Sequence, residues 1–174
     1  LPEMFTTGFS MDPAAYAETM QGDTVQWLLA QAQQCRAAIV GSAIIEENGK
    51  FYNRLLWVNP DGQMGWYDKR HLFSMGGEDL HYTRGSQKIM FDFKGWRICP
   101  MICYDLRFPV WSRNKEDYDL AIYVANWPER RRYHWQSLLV ARAIENQAFI
   151  VGVNRVGTDA NEIYHSGYSS VIDP

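Results

Sequence analysis

The sequence has few cysteines, no long apolar run and no strong excess of charge, and each shortage excludes a class of protein. Three cysteines among 174 residues are odd in number and lack zinc-ligand spacing. They argue against a disulfide framework or a zinc site and favour a reducing, cytoplasmic compartment. No apolar run approaches the roughly 18 residues that a membrane-spanning helix needs. A formal net charge of −3 gives no electrostatic reason to expect nucleic acid or an anionic membrane as a partner.

What the sequence does contain is enough apolar material for a packed core. Hydrophobic residues make up 47% of the chain and aromatic residues 14%, a composition that excludes disorder. The length suits a single domain over residues 1–174. The chain opens at Leu1 without an initiator methionine or a signal peptide and stops at Pro174, where a turn would begin. Both ends are therefore expected to be cuts through a larger domain.

Periodicity predicts a helix followed by an antiparallel meander in the first half of the chain. Asp23 and Gln26 resemble the N-cap and third helical position of a capping box, with apolar residues at helical spacing as far as Arg36. Asn48-Gly49 is the strongest short hairpin signal. The predicted strands span residues 37–45, 51–58 and 63–68, and a long polar loop covers residues 74–85.

The second half alternates strands with helices, which favours an α/β sandwich with a mixed sheet. Residues 88–93 and 96–102 form a predicted hairpin, and Pro109 is tolerated in the first turn of a short helix. The remaining predicted elements are strands 120–125, 149–154 and 167–172, helix 133–146 and a turn at residues 158–161.

Cys103 stands where a short apolar strand gives way to polar residues, which is a suitable place for a nucleophile. The alternative is that Cys103 packs as a small hydrophobic residue, as most free cysteines do. A thiol nucleophile usually needs a base, and the four histidines show no recognisable cysteine-protease arrangement. Carboxylates are the other source of a base. Glu3, Lys69 and Glu78 each read as solvated charges when they are considered one at a time.

Considered together, three blocks change that interpretation. They are PEMFTTGF at residues 2–9, YDKRHLF at residues 67–73 and ICYDLRFP at residues 102–109. In this order they resemble the nitrilase superfamily of carbon–nitrogen hydrolases, which is defined by a Glu-Lys-Cys triad. The resemblance covers essentially the whole chain and extends to ANWP at residues 125–128, ARAIENQ at residues 141–147 and NRVG at residues 154–157.

The resemblance implies a catalytic role for each matching residue. Glu3 corresponds to the general base, Lys69 to the cation that stabilises the oxyanion, and Cys103 to the nucleophile. Glu78 corresponds to a second glutamate that many members carry after the lysine, with neighbouring Asp79 as the alternative. No metal or organic cofactor is implied.

The resemblance also implies a fold and an assembly. The family fold is a four-layer αββα sandwich, usually dimerised, so a homodimer or higher homo-oligomer is expected. Members begin with a strand and helix before the glutamate loop and continue beyond the last block matched here. The chain is therefore expected to be a nitrilase-type sandwich truncated at both ends.

Within the family, the blocks look most like those of the omega-amidases, which release ammonia from the terminal amide of 2-oxoacids such as 2-oxoglutaramate. Such a substrate carries a carboxylate, for which Arg107 or the arginines at residues 130–132 are candidate partners. The alternatives are an ion pair between Arg107 and a nearby acid, and a solvated face for the arginine cluster. Phe9 and Trp127 are candidate pocket walls, although core packing also explains them.

Two further positions complete the predicted site, and two other functions stay open. Asn126 is a candidate substrate contact, and the Tyr104 N–H is a candidate second donor to the oxyanion. Because the triad is shared across the family, the substrate could instead be a nitrile, a carbamoyl amine or another amide. A non-catalytic interaction module, or a thiol redox sensor built on Cys99 and Cys103, is the hypothesis from another class.

Overall fold

The computed structural model describes all 174 residues, which divide into two compact units. One consists mainly of Glu3–Gln87 and the other mainly of Lys88–Pro174. The elements of the first unit are α1 (Pro13–Tyr16), α2 (Asp23–Cys35), β1 (Ile39–Glu47), β2 (Lys50–Val58), β3 (Met64–Asp68), a 3-10 turn at Ser74–Gly76 and α3 (Glu78–His81).

Strands β1, β2 and β3 pair in that order, and both pairings are antiparallel. The predicted meander is therefore confirmed. Asn48 and Gly49 connect β1 to β2 with positive φ angles of 54° and 71°. A tight hairpin turn of this kind needs the left-handed region at both central positions, which asparagine and glycine adopt most readily.

The two faces of this sheet have different environments. One face packs against α2 through a fully apolar cluster made of Val25, Leu28, Ala32, Ala43, Ile45, Leu56 and Val58. Because side chains alternate along a strand, Ser42, Ile44 and Asn53 point to the opposite face. Ile44 packs there against Met4, Leu72 and Tyr82. This second face is the platform for the charged residues described below.

The start of α2 differs from the predicted capping box. Asp23 is the first helical residue, Gly22 occupies the N-cap, and no side chain of the cap residue bonds to the helix. Glu18 supplies the missing acceptor instead, since its carboxylate accepts hydrogen bonds from the Thr24 backbone N–H at 2.8 Å and from the Thr24 hydroxyl. The prediction of Asp23 as cap was wrong because the cap comes from a residue outside the local motif.

The second unit contains a mixed five-stranded sheet, as predicted. Its order is β10-β7-β6-β5-β4, with β5, β6 and β7 parallel and the two edge strands antiparallel. The elements are β4 (Phe91–Phe93), β5 (Trp96–Ile102), a 3-10 turn at Cys103–Arg107, α4 (Pro109–Ser112), β6 (Leu120–Ala125), a 3-10 turn at Glu129–Arg131, α5 (Arg132–Asn146), β7 (Phe149–Asn154), β8 (Val156–Thr158), β9 (Tyr164–Ser166) and β10 (Ser170–Ile172).

Helix α5 covers the parallel strands and builds the core of the second unit. Trp135, Leu139 and Ala143 of α5 belong to the same buried cluster as Cys99, Met101, Ala121, Tyr123 and Ile150 of the strands. The carboxyl ends of parallel strands meet at one edge of a sheet, which is where α/β proteins bind ligands. Cys103, Asn126 and Arg155 directly follow β5, β6 and β7 at that edge.

Two short regions of the fold were predicted incorrectly. The expected loop at residues 74–85 contains the Ser74–Gly76 turn and α3. The last predicted strand, 167–172, is only Ser170–Ile172 long, and it is preceded by the separate hairpin of β8 and β9. No helix of the protein has the length and apolar character needed to cross a membrane.

Candidate active site

Three of the four predicted catalytic side chains meet inside the first unit. The Lys69 ammonium donates to Glu3 Oε1 at 2.7 Å and to Glu78 Oε1 and Oε2 at 3.1 and 2.9 Å. The side chains of all three residues are fully buried. A buried cation between two buried carboxylates is costly to assemble, and ionisable groups in such environments are concentrated at functional sites. We call Glu3, Lys69 and Glu78 the Lys69 cluster.

Two backbone hydrogen bonds at the end of β3 hold Lys69 in place. Lys69 follows β3, and its N–H donates to the Asn53 carbonyl of β2 at 3.0 Å. Its own carbonyl accepts from the Gly85 N–H at 2.9 Å. Gly85 lies so close to β3 that a Cβ there would be 2.1 Å from the Asp68 carbonyl oxygen. Only glycine lets this loop return to the end of the strand.

The Glu78 carboxylate accepts hydrogen bonds from several donors, which fix its position. It is the first residue of α3, and its Oε2 accepts a hydrogen bond from the Phe73 N–H at 2.6 Å. Burial raises the pKa of Glu78 above its ordinary value. Lys69 opposes that rise, whereas the charge of Glu3 adds to it. A raised pKa brings a carboxylate closer to the conditions under which a general acid or base works.

Phe9 is the one predicted pocket residue in the first unit. Its ring centroid lies 5.3 Å from the Lys69 ammonium and 6.5 Å from the ring of Phe73. Phe9 also packs against the cluster around Met4 and Ile44. Phe9 therefore lies beside the Lys69 cluster and also contributes to core packing.

Cys103 belongs to the second unit and has an unusual backbone. It is the first residue after β5 and adopts φ = 43°. A residue other than glycine in this left-handed region is strained, and such strain concentrates at functional sites. Its side chain is only partly buried, unlike that of Cys99 in the preceding strand, which has no exposure. Burial raises the pKa of the Cys99 thiol to about 12, so Cys99 is a core residue.

The turn that carries Cys103 is braced by buried polar groups. Asp105, which is completely buried, accepts a hydrogen bond from the Ile102 N–H at 3.0 Å. Arg142 of α5 donates to the Leu106 carbonyl at 2.6 Å. Tyr104 lies in the same turn, with its ring packed edge-on against Phe108 at 5.2 Å. The predicted contribution of the Tyr104 N–H to the oxyanion remains a prediction.

The predicted substrate contacts Asn126 and Trp127 follow β6. Asn154 of β7 holds the backbone of Trp127, because its side chain accepts from the Trp127 N–H at 2.7 Å and donates to the Trp127 carbonyl at 2.9 Å. The Trp127 ring packs within the core against Trp135 at 5.5 Å. Core packing therefore explains most of Trp127. Asn126 is largely buried and accepts a 3.5 Å hydrogen bond from Arg155.

Arg107 does not form the ion pair that was the alternative to substrate binding. Its guanidinium lies 5.0 Å from the centroid of the Trp127 ring and within 2.9 Å of His134 Nδ1. Neither Trp127 nor His134 carries a negative charge. The positive charge of Arg107 is thus positioned but not neutralised, as binding of a substrate carboxylate would require.

The three arginines at residues 130–132 have separate surroundings. Arg132 forms a 3.1 Å ion pair with Glu129 and lies over the Tyr168 ring, which agrees with a structural, solvated role. Arg130 is exposed. Burial lowers the pKa of Arg131, and neighbouring Arg130 adds to this, whereas Cys103 raises it. Arg131 is partly buried, unlike the exposed Arg130 and Arg132.

Sequence analysis missed Asn53 and Ser42. Asn53 Nδ2 donates to Glu3 Oε1 at 2.8 Å and to Glu78 Oε1 at 3.0 Å, and Ser42 donates to Asn53 Oδ1 at 2.8 Å. The only sequence signal is a polar residue at a core position of each strand. No group of three or more His, Cys, Asp and Glu side chains is arranged to hold a metal ion.

Curated relatives match the chain along its whole length. The family model described as Carbon-nitrogen hydrolase matches residues 1–174. Omega-amidase YafV of Escherichia coli K12 is 56% identical over 174 residues, which are 100% of this chain and 68% of that protein. The 2-oxoglutaramate amidase of Bacillus subtilis is 36% identical over 179 residues, covering 100% of this chain and 69% of that protein. The chain thus spans about two thirds of these relatives.

A solved structure has the same fold. The protein XC1258 of Xanthomonas campestris, described as a CN-hydrolase superfamily protein with an arsenic adduct in its active site, superposes with a TM-score of 0.97. The two are 50% identical, and the alignment covers 99% of this chain and 68% of that one. The predicted nitrilase-type α/β fold is confirmed. The chain belongs to the carbon-nitrogen hydrolase family.

Proposed function

We propose that the protein is an omega-amidase, which hydrolyses the terminal amide of a 2-oxoacid such as 2-oxoglutaramate and releases ammonia. The buried Lys69 cluster is the observation that carries the proposal, because it places buried carboxylates in direct contact with a buried cation. The similarity to proteins named omega-amidase and 2-oxoglutaramate amidase supports the choice of substrate.

The proposed mechanism divides amide hydrolysis into two steps. Glu3 accepts the proton of the Cys103 thiol, the sulfur attacks the amide carbon, and the C–N bond breaks as the amide nitrogen receives that proton and leaves as ammonia. In the second step Glu3 takes a proton from water, the water oxygen attacks the thioester carbon, and the C–S bond breaks as that proton passes to the Cys103 sulfur, which releases the dicarboxylic 2-oxoacid. An amide is a poor electrophile with a poor leaving group, so a covalent intermediate replaces one difficult step with two easier ones.

Lys69 and Glu78 support the chemistry without forming covalent bonds. Lys69 supplies the positive charge that stabilises the tetrahedral oxyanion, with the Tyr104 N–H as the second donor. One such donor typically contributes about 3 kcal/mol of transition-state stabilisation. Glu78 holds the Lys69 ammonium from the other side and keeps its orientation fixed.

Arg107 is the proposed partner of the substrate carboxylate. Its guanidinium has no acidic neighbour and is held by His134 and Trp127, so it can bind a carboxylate through two parallel hydrogen bonds. Asn126, Trp127 and Phe9 are the proposed surrounding contacts. Arg131, the partly buried member of the 130–132 group, is a second candidate, because Cys103 is among the groups that influence its pKa.

The protein is further proposed to act as a homodimer in a reducing, cytoplasmic compartment. All three cysteines are free, which supports the second part. Light scattering on the purified protein tests the first part, since a monomeric mass at micromolar concentration contradicts it.

Ammonia release from four substrates tests the proposed function. We expect turnover of 2-oxoglutaramate to exceed that of glutamine, a simple nitrile and a carbamoyl amine. Cys103→Ala should abolish turnover, whereas Cys35→Ala, which removes an exposed cysteine, should retain it. Turnover of the nitrile alone contradicts the substrate assignment, and turnover that survives Cys103→Ala contradicts the mechanism.

A further inference from the structure

Asn53 contacts every member of the Lys69 cluster. Its Nδ2 donates to Glu3 Oε1 at 2.8 Å and to Glu78 Oε1 at 3.0 Å. Its carbonyl accepts the Lys69 N–H at 3.0 Å. Asn53 has no solvent exposure, and it occupies the middle of β2, the central strand of its sheet. A rigid strand position of this kind suits a group that sets the geometry of others.

The hydrogen-bond chain behind Asn53 determines which way its amide faces. The Met4 N–H can only donate, so Ser42 Oγ accepts that bond, at 2.8 Å. The Ser42 hydroxyl proton is then directed to Asn53 Oδ1 at 2.8 Å. The Asn53 NH₂ group must therefore face the two carboxylates, and its two protons match its two acceptors. Neither aspartate nor serine could donate two bonds from this position.

Ser42 also fixes the backbone next to Glu3. Met4, which directly follows Glu3, has φ = 41°, in the strained left-handed region. The Ser42 hydroxyl holds the Met4 N–H, and the Ser42 carbonyl accepts from the Phe5 N–H at 3.0 Å. The same serine thus orients Asn53 and restrains the turn that presents the Glu3 carboxylate.

We propose that Asn53, oriented by Ser42, is a positioning residue that holds Glu3 and Glu78 at a fixed separation on Lys69 by donating one hydrogen bond to each carboxylate. This role rests on the proposed function of the cluster in amide hydrolysis. Asn53 acts through the two glutamates and does not touch the substrate.

Loss of Asn53 has a specific electrostatic consequence. Its hydrogen bond lowers the pKa of Glu78 and so opposes the rise caused by burial. Without that donor, the charged form of Glu78 loses stabilisation and its pKa rises further. The acidic limb of the kcat/KM profile should then move to higher pH. A residue that only filled space would lower stability without shifting this limb.

Kinetics of four variants test the proposal. Asn53→Leu retains most of the volume and removes both donors, and we expect kcat to fall about ten- to hundredfold with little change in KM. Ser42→Ala should shift the acidic limb in the same direction by a smaller amount, and Ser42→Thr, which keeps the hydroxyl, should restore it. Asn146→Leu is the matched control, because Asn146 is a buried asparagine that bonds only to Arg142 and Asn114.

The outcomes distinguish positioning from a purely structural role. A shifted acidic limb in Asn53→Leu and Ser42→Ala, with an unshifted limb in Asn146→Leu, supports the proposal. If Asn53→Leu does not fold, Ser42→Ala and Ser42→Thr decide. Unshifted limbs in Ser42→Ala, or activity losses that only parallel the loss of folded protein, overturn it.

A titration without substrate separates this proposal from the proposed function. The ¹³C-carboxyl signals of the glutamates report the protonation of Glu78 whether or not 2-oxoglutaramate is hydrolysed. Titration of Glu78 at higher pH in Ser42→Ala than in the wild type supports the role of Asn53 even if no amide is cleaved. An unchanged titration contradicts it even if the wild type is an active amidase.

Discussion

The Lys69 cluster and the Cys103 turn, which carry the proposed catalytic residues, differ in burial and in backbone geometry. The cluster is fully buried, and neighbouring donors and acceptors surround its three charges. Cys103 is partly exposed and sits on a strained backbone at the end of a parallel strand. Acid–base groups need a defined electrostatic environment, whereas a nucleophile needs access to the substrate.

The difference predicts how substitutions in each region should affect stability and activity. Removing a charge from a buried ion cluster leaves its partners uncompensated, so stability and activity should fall together. Replacing the partly buried Cys103 thiol by a methyl group leaves no buried charge without its partner, so activity should fall with little loss of stability. Measuring both the free energy of unfolding and the turnover of each variant therefore distinguishes the two regions.

Cys103→Ala should give the largest effect on activity and a small effect on stability. We expect turnover to fall by at least about 10⁴-fold, because the covalent route is lost, with the urea midpoint close to that of the wild type. Ammonia release and urea unfolding measure the two quantities. A large loss of stability would show that the turn depends on the sulfur for packing. It would contradict the difference expected between the Cys103 turn and the Lys69 cluster.

Lys69→Met should affect both quantities. Turnover should fall by about 10³-fold, and the free energy of unfolding should fall by about 3–5 kcal/mol, because two buried carboxylates lose their common partner. The same assays apply, with Lys50→Met as the control at an exposed lysine. Equal stability of the Lys69 and Lys50 variants would contradict a buried ion cluster.

Glu78→Gln should change the pH dependence of stability. The pKa of Glu78 is raised by folding, so above pH 4.5 the unfolded chain releases this proton before the folded protein does. Wild-type stability therefore decreases as pH rises through this window, by at most about 1.4 kcal/mol per pH unit. Glu78→Gln should reduce that decrease, whereas Glu162→Gln, at an exposed glutamate, should not. Thermal unfolding from pH 4.5 to 8 measures it, and parallel curves for all three proteins refute it.

Arg107→Gln should give the smallest of these effects. We expect KM for 2-oxoglutaramate to rise about tenfold with a smaller change in kcat, because a charge-assisted contact to the distal carboxylate is lost. A simple amide without a carboxylate should be hydrolysed as before. An equal effect on both amides would assign Arg107 to the packing of Trp127.

The sequence patterns predicted the regular strands well because the patterns are local. Leu120–Ala125 and Phe149–Asn154 were predicted to the residue, since a short apolar run bounded by polar residues indicates a buried parallel strand. Cys103, Glu3, Lys69 and Glu78 were named as candidate catalytic residues from motifs, and the structure brings the last three together. Their electrostatic coupling could not be predicted, because it depends on burial that only the fold creates.

The missed features depend on side-chain contacts that lie outside the local sequence motifs. The cap of α2 comes from Glu18, outside the expected box. Helix α3 follows two glycines that signal a loop, and the Glu78 side chain stabilises its start by bonding back to Phe73. Asn53 carries no motif, and its partner Glu3 is 50 residues away in sequence. Interactions of this kind become visible only in three dimensions.

A trapped intermediate tests the central claim most directly, namely that Cys103 carries the covalent step while the Lys69 cluster moves protons. The protein is mixed with 2-oxoglutaramate, quenched in acid within milliseconds and mapped by peptide mass spectrometry. The account predicts a thioester of the 2-oxoacid on the Cys103 peptide, and a lower amount of it in Lys69→Met. An acyl group on Cys35 or Cys99, or ammonia release by Cys103→Ala at the wild-type rate, would contradict it.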